Sequence, residues 1–241
     1  MKLLKVIAHL LDYPREEIAS NKSEIALMIN QAKEISPDHR RRLQQTLNDI
    51  YDEELMDAEE NYTGLFEQGR SLSLHLFEHV HGESRDRGQA MVDLMAEYSK
   101  NGFEIDSREL PDYIPMFLEY LSFRPDLEAR EWLADVSHIL ALLGARLTER
   151  QSSYANLFES LLLIAGRSEE LEEKLPQVAN EAPDNTPEAL DKEWEEVAVS
   201  FSGEEKSCGI DSPNTNPDQV RPLRWKNSQS PMDRTSGGES A

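Results

Sequence analysis

Cysteine is the residue this chain has least of: Cys208 stands alone among 241 residues. One thiol excludes an internal disulfide framework and any Cys-based zinc site, and it suits a reducing compartment. No uninterrupted apolar run approaches the roughly 20 residues that a bilayer-crossing helix needs. Positive charge is scarce as well. Lys and Arg number 25 against 47 Asp and Glu, a formal net charge of −22, which opposes binding to a nucleic-acid backbone or an anionic membrane surface. The opening, Met1 to His9, has a faint secretion-signal look, but Lys5, His9 and Asp12 interrupt it and no small-residue cleavage pattern follows. The cytoplasm is the expected location. Also missing are a nucleophile elbow, a phosphate-binding glycine loop, an HExxH pattern, internal repeats, and any alternation long enough to make a strand.

What is present is helix, and the class expected is all-α. Leu3, Leu4, Ile7, Ala8 and Leu11 share one face of a first helix ended near Pro14, because proline pushes the residue before it away from helix. Ile25, Met28 and Ile29 repeat on a later segment. Ser36-Pro37 combines an N-cap with a first-turn proline and opens a helix with Leu43, Leu47 and Ile50 inward. Arg40, Arg41 and Arg42 are consecutive, so they fan around that helix as solvated surface. Pro115 sits in the first turn of a helix bearing Ile114, Phe117, Leu118 and Leu121. Pro125 introduces what should be the longest helix, with Trp132, Val136, Ile139, Leu140, Leu143 and Leu147 buried. Tyr154, Leu157, Phe158, Leu161, Leu162 and Ala165 follow as the cleanest amphipathic stripe. These last two helices are expected to floor the core.

The pattern divides the chain into a helical core, 1–166, an acidic segment with a short helix, 167–201, and a tail, 202–241, with little to bury and disorder as its default. Glu169 to Glu205 holds thirteen acids against Lys174 and Lys192. Within it, Thr186-Pro187 should open a helix striped by Leu190, Trp194 and Val197. A second acidic run, Asp49 to Glu60, holds seven acids and no base. It reads either as a solvated helix junction or as a rim that attracts a basic partner.

The organising stretch is Tyr62 to Tyr98. Leu72, Leu76 and Val80 recur at i, i+4 and i+8, with Phe77 beside them, and Met91, Leu94, Met95 and Tyr98 recur at helical spacing. Gly82 is placed to end the first helix, Ser84 to cap the second, and Asn101-Gly102 to close it. His75 and His79 are spaced to share a helical face, which with His81 admits a metal-dependent helical enzyme. The plainer reading is packing and hydrogen bonding at the edge of the apolar stripe. Tyr62-x-x-Leu65-Phe66 sets three large side chains on one face, either as core or as the wall of an apolar groove.

The same residues carry a family resemblance. The run through Leu76-Phe77-Glu78-His79, His81-Gly82, Ser84-Arg85, Arg87-Gly88 and Ala90-Met91 resembles the NarJ-type assembly chaperones, a branch of the TorD/DmsD-like redox enzyme maturation superfamily. The Tyr62-x-x-Leu65-Phe66 segment is similar to one found across that superfamily. Glu109-Leu110-Pro111-Asp112-Tyr113 matches its Glu-x-Pro-Asp-His signature with tyrosine in the histidine position, as in the nitrate reductase branch. The resemblance touches residues 1–200, is dense over 62–122 and fades past Ser202. It implies an all-helical chaperone that is not an enzyme, binds no cofactor stably, and assists insertion of molybdenum cofactor into its client. The implied partner is the leader-like N-terminal segment of the nitrate reductase catalytic (alpha) subunit in its apo form, alone or with the beta subunit. Nucleic acid and membrane insertion play no part. On that footing Tyr62–Phe66, Leu72–Val80 and Tyr113–Leu121 would border a groove for an amphipathic peptide. Its expected contact residues are Tyr62, Leu65, Phe66, Leu76, Phe77, His79, Leu110, Pro111, Asp112, Tyr113, Phe117 and Glu119. Met91, Met95 and Met116 would suit such a surface, though their spacing fits core equally well.

Overall fold

The computed structural model describes residues 1–52, 54–81, 85–105, 109–182 and 184–193. The cap pair Gly82 and Ser84, the stripe residues Trp194 and Val197, Cys208 and the tail 202–241 lie outside the described residues. Within them the chain is helical throughout and holds no strand. An all-α class is what the sequence led us to expect.

The first helix, α1 (Lys2–Leu11), is the most deeply set. Leu3, Leu4, Val6, Ile7, Ala8, Leu10 and Leu11 are all buried, and the Met1 amine donates to the Ser122 carbonyl at 3.0 Å. Two short helices follow, α2 (Glu16–Ser20) and α3 (Lys22–Gln31), then α4 (Pro37–Tyr51) and α5 (Leu55–Phe66). Ser36 caps α4 as its position requires, its hydroxyl accepting from the His39 amide at 3.3 Å. Arg40, Arg41 and Arg42 do fan apart. Arg40 donates to the Ala32 carbonyl, Arg41 pairs with Asp38, and Arg42 Nη2 reaches Glu159 at 2.9 Å.

The chain continues through α6 (Leu76–His81), α7 (Arg85–Lys100), α8 (Ile114–Ser122), α9 (Asp126–Asp135), α10 (Ser137–Glu149), α11 (Ala155–Ala165), α12 (Glu169–Val178) and α13 (Pro187–Glu193). The core lies where α1 packs on α8, α3 and α11, and where α10 packs on α11 and α12. Left-handed glycines close two of these helices. Gly102 (φ 72) ends α7 with Phe103 donating to the Tyr98 carbonyl, and Gly166 (φ 70) ends α11 with Arg167 donating to Leu162.

Two expectations need correction. The long helix after Pro125 is two helices, because Val136 leaves helical geometry (φ −101, ψ 5). Beside it the Ser137 hydroxyl takes the Ala134 carbonyl at 2.8 Å and Glu170 at 3.0 Å, a side-chain competition that bends helices. The sixteen-residue α7 is therefore longer than either half. The segment from Leu72 to His75 is not helical either. His75 forms an antiparallel bridge with Tyr113, and α6 begins only at Leu76.

Past Gly166 the chain returns to the core, with α12 laid on α10 and Val178 buried. It is then tied down at Asp184. One carboxylate oxygen accepts from the Ser71 amide at 2.7 Å, the other from the Ser71 hydroxyl at 2.5 Å and Arg150 at 2.9 Å. Asn185 adds a bond to the Gly64 carbonyl at 2.9 Å, and Thr186 caps α13 through the Ala189 amide at 3.2 Å. Gly69 must stay small here, since a Cβ would lie 2.6 Å from the Asp184 carboxyl carbon.

Burial alone would raise the Asp184 pKa, but the Ser71 hydroxyl and amide and the Arg150 guanidinium outweigh it and hold it at about 2. Its unfolded value is about 3.9. The stability this tether contributes is therefore fully present above about pH 4 and is lost as the pH falls toward 2. Urea denaturation of the native chain and Asp184→Asn should differ by about 1 kcal/mol at pH 7, with the gap closing across that acid window. A gap that stays constant with pH would contradict the tether.

Candidate functional site

Four stretches far apart in sequence meet at one buried polar junction: Leu11-Asp12-Tyr13, Tyr62, Leu72 to Phe77, and Leu110 to Ile114. The last two are joined by backbone. Leu76 N–H donates to the Asp112 carbonyl at 3.0 Å, and Ile114 N–H donates to the Leu74 carbonyl at 2.8 Å. The fully buried Asp112 carboxylate accepts from the Phe77 amide at 3.0 Å, which supplies the first turn of α6 with a cap from another part of the chain. Its second oxygen has no hydrogen-bond partner among the described residues. Burial pushes this carboxyl up, against the pull of the Phe77 N–H and the fields of His75 and Arg87.

Tyrosines extend the junction to α1. Tyr62 Oη donates to the Leu11 carbonyl at 3.0 Å, Tyr113 Oη donates to Asp12 Oδ1 at 3.1 Å, and the two hydroxyls are 3.1 Å apart. Two protons thus serve three contacts. Burial raises the pKa of both phenols; the Tyr113 hydroxyl adds to the rise at Tyr62, while at Tyr113 the Tyr62 hydroxyl opposes it and Asp12 adds to it, so both stay neutral donors. Asp12 is itself paired with Arg15 at 3.0 Å. Around this junction Tyr62 packs on Tyr13, Phe66 and Tyr154 with ring centroids 4.9–6.4 Å apart.

On the outer side of the junction a cleft of about 270 Å³ opens between the end of α1, α2 and α3. Ile18, Ile25 and Met28 give it an apolar floor and Tyr13 a wall; its lip carries Glu17 and Glu24 together with His9 and the Asp12–Arg15 ion pair, so the lip's net charge is negative through the two glutamates. The Tyr13 ring meets Tyr62 edge-on at 5.5 Å, so the cleft wall rests directly on the junction. Partial desolvation there, then the negative fields of Glu59 and Glu67, raise the Tyr13 pKa. These two acids of α5 and its C-cap therefore belong to the same negative surface.

The residues chosen from the sequence lie mostly beneath this surface. Tyr62, Phe66, Leu76, Phe77, Pro111, Asp112 and Phe117 are buried, Leu65, His79, Tyr113 and Glu119 half-buried, and only Leu110 is exposed, at 44%. Tyr62, Leu76, Phe77, Asp112 and Tyr113 are brought together. Glu119 is not among them, for it faces Lys5 at 3.8 Å, near the other end of α1. The cleft residues Tyr13, Ile18, Glu17, Glu24 and Met28 were not singled out. The available signal was the Asp12-Tyr13-Pro14 corner followed by a short acidic helix with Ile18 as its one apolar anchor.

The histidines do not share a helical face, since His75 precedes α6. His79 donates from Nε2 to the Ser73 carbonyl at 2.8 Å, and burial lowers its pKa despite that bond. His81 packs on Phe77 with centroids 5.8 Å apart. Among the described residues no group of three His, Cys, Asp or Glu side chains could hold a metal. No described helix is long and apolar enough to cross a membrane.

The candidate site is thus an apolar-floored cleft resting on a buried polar junction, in an all-helical protein. The sequence model of the nitrate reductase delta subunit family matches residues 32–160, more than half of the chain. The chain is 45% identical over 206 residues to the nitrate reductase molybdenum cofactor assembly chaperone NarJ of Escherichia coli K12, covering 86% of this chain and 87% of that one. It is 45% identical over 221 residues to the probable assembly chaperone NarW of the same organism, covering 92% of each. A Bacillus subtilis relative, a probable NarJ, is 31% identical over 103 residues, 43% of this chain and 56% of its own. This chain belongs to the family of nitrate reductase molybdenum cofactor assembly chaperones.

The junction makes a direct prediction. Tyr62→Phe and Tyr113→Phe should each cost about 1 kcal/mol of stability. Because their hydroxyls share a contact, the double variant should cost less than the sum by about 0.5 kcal/mol or more. Strict additivity in a urea-denaturation cycle would mean the two phenols act independently.

Proposed function

We propose that the cleft between α1, α2 and α3 receives a basic, amphipathic segment at the N-terminus of a nitrate reductase catalytic subunit. As a member of its family the chain is a dedicated assembly chaperone, not an enzyme, and molybdenum cofactor is cargo for the client, not a resident group. The observation that carries the reading is an apolar floor with an acidic lip, on a chain of net charge −22. The physics is helix-in-groove recognition. Apolar anchors of the client segment enter over Ile18, Ile25 and Met28, while its Arg or Lys side chains meet Glu17 and Glu24. The buried residues read from the sequence, Tyr62, Phe66, Leu76, Phe77, Asp112 and Phe117, serve as backing that holds the floor in place.

Holding the segment keeps the apoenzyme, alone or with its beta subunit, open to the cofactor in the cytoplasm. A charge-assisted lip gives fast capture and ready release, which suits a chaperone that leaves the finished complex. Supporting this reading are the names of the relatives, which describe molybdenum cofactor assembly chaperones for nitrate reductase.

Calorimetric titration with a synthetic peptide carrying the catalytic subunit's N-terminal segment tests it. Binding should be tightest at low salt, and Glu17→Lys with Glu24→Lys should weaken it roughly tenfold or more. Reversing Glu131 on α9 should leave it unchanged. No binding at low salt, or equal loss in both variants, would refute the assignment of the cleft.

A further inference from the structure

One segment of the chain runs against its own electrostatics. Val220-Arg221-Pro222-Leu223-Arg224-Trp225-Lys226 carries three positive charges, no acid and three apolar side chains. The 26 residues between it and Glu193 contain Lys206 as their only base. The denser basic run, Arg40 to Arg42, is already engaged with Ala32, Asp38 and Glu159. Residues 220–226 thus have the composition that the acidic, apolar-floored cleft is suited to accept. An acidic patch alone would attract its charges, but Leu223 and Trp225 also need an apolar seat.

The fold delivers the chain to the right place. Asn185 bonds to the Gly64 carbonyl at 2.9 Å, two residues along α5 from Tyr62, whose ring lies 5.5 Å from Tyr13 in the cleft wall. Asp184 fixes that exit through Ser71 and Arg150. From Glu193 to Val220 the chain can extend at most roughly 90 Å, while a body of this size is roughly 40 Å across. Reach is therefore no obstacle. Pro222 disfavours helix at Arg221.

We propose that residues 220–226 fold back into the cleft between α1, α2 and α3 and occupy it in competition with the client segment. The chaperone would then be self-shielded: its sticky floor is covered until a client with a better-matched basic segment displaces the tail. The competition rests on the cleft being the client site, whereas the docking of the tail does not.

The test uses the full chain and a tail-neutral variant with Arg221→Ser, Arg224→Ser and Lys226→Ser. Two probes are titrated by calorimetry: the synthetic catalytic-subunit N-terminal peptide, and a peptide spanning residues 216–230 of this chain. If the tail fills the cleft about four-fifths of the time, the tail-neutral chain binds the client peptide about fivefold tighter than the native chain. The tail peptide should bind the tail-neutral chain, and Glu17→Lys with Glu24→Lys should abolish that binding. Equal client affinity for native and tail-neutral chains overturns the competition and leaves the client assignment standing. Failure of the tail peptide to bind overturns the docking itself. If the client peptide binds neither chain, the functional assignment fails while the tail-peptide titration still decides the docking. Concentration-dependent dimers of the native chain in light scattering, absent from the tail-neutral variant, would mean a second copy supplies the tail and would overturn the fold-back arrangement.

Discussion

A buried carboxylate that accepts from a main-chain amide of another part of the chain sets the geometry of the junction beside the cleft. Asp112 holds the Phe77 amide with its side chain and the Leu76 amide with its own carbonyl. Those two bonds fix where α6 begins and how the Leu110–Ile114 loop enters α8. Burying a carboxylate is costly unless hydrogen bonds compensate, so the Phe77 amide offsets part of that cost here. Tyr113, the next residue, then carries the constraint outward to Asp12, and Tyr62 carries it to the end of α1. The cleft wall at Tyr13 is the last link in that chain.

The helices themselves were legible because their ends and stripes are local. Ser36 and Thr186 cap by bonds to residues three positions on, and Gly102 and Gly166 supply the left-handed turn that ends a helix. The errors came where a distant partner decides. Leu72 and Leu76 have helical spacing, yet Leu72 lies in a turn and Leu74 to Leu76 is bridged to the Asp112–Ile114 backbone, which no local pattern reports. Val136 sits in an unbroken apolar stripe, and the break there follows from the Ser137 hydroxyl and from Glu170 across α12.

The site was half legible for the same reason. Tyr62, Leu65 and Phe66 do share a helix, and the Leu-Pro-Asp-Tyr run does join them. But periodicity says which face of a helix is apolar, not whether that face meets solvent or protein. Here Tyr62, Phe66 and Phe117 meet protein. The open surface falls to α2 and α3, whose short stripes look unremarkable in sequence and gain meaning only when set against α1. The family resemblance supplied the class of function, and the cleft between α1, α2 and α3 is the location proposed for it.

The central claim is that the junction of Leu72–Phe77 with Leu110–Ile114 is as firm as the helical core and so holds the cleft in shape. Amide hydrogen exchange at Leu76, Phe77 and Ile114 tests it most directly. These amides should exchange as slowly as those in the middle of α11, and Asp112→Ala should release them selectively while α11 stays protected. Fast exchange at all three in the native chain, at rates typical of exposed loops, would contradict it.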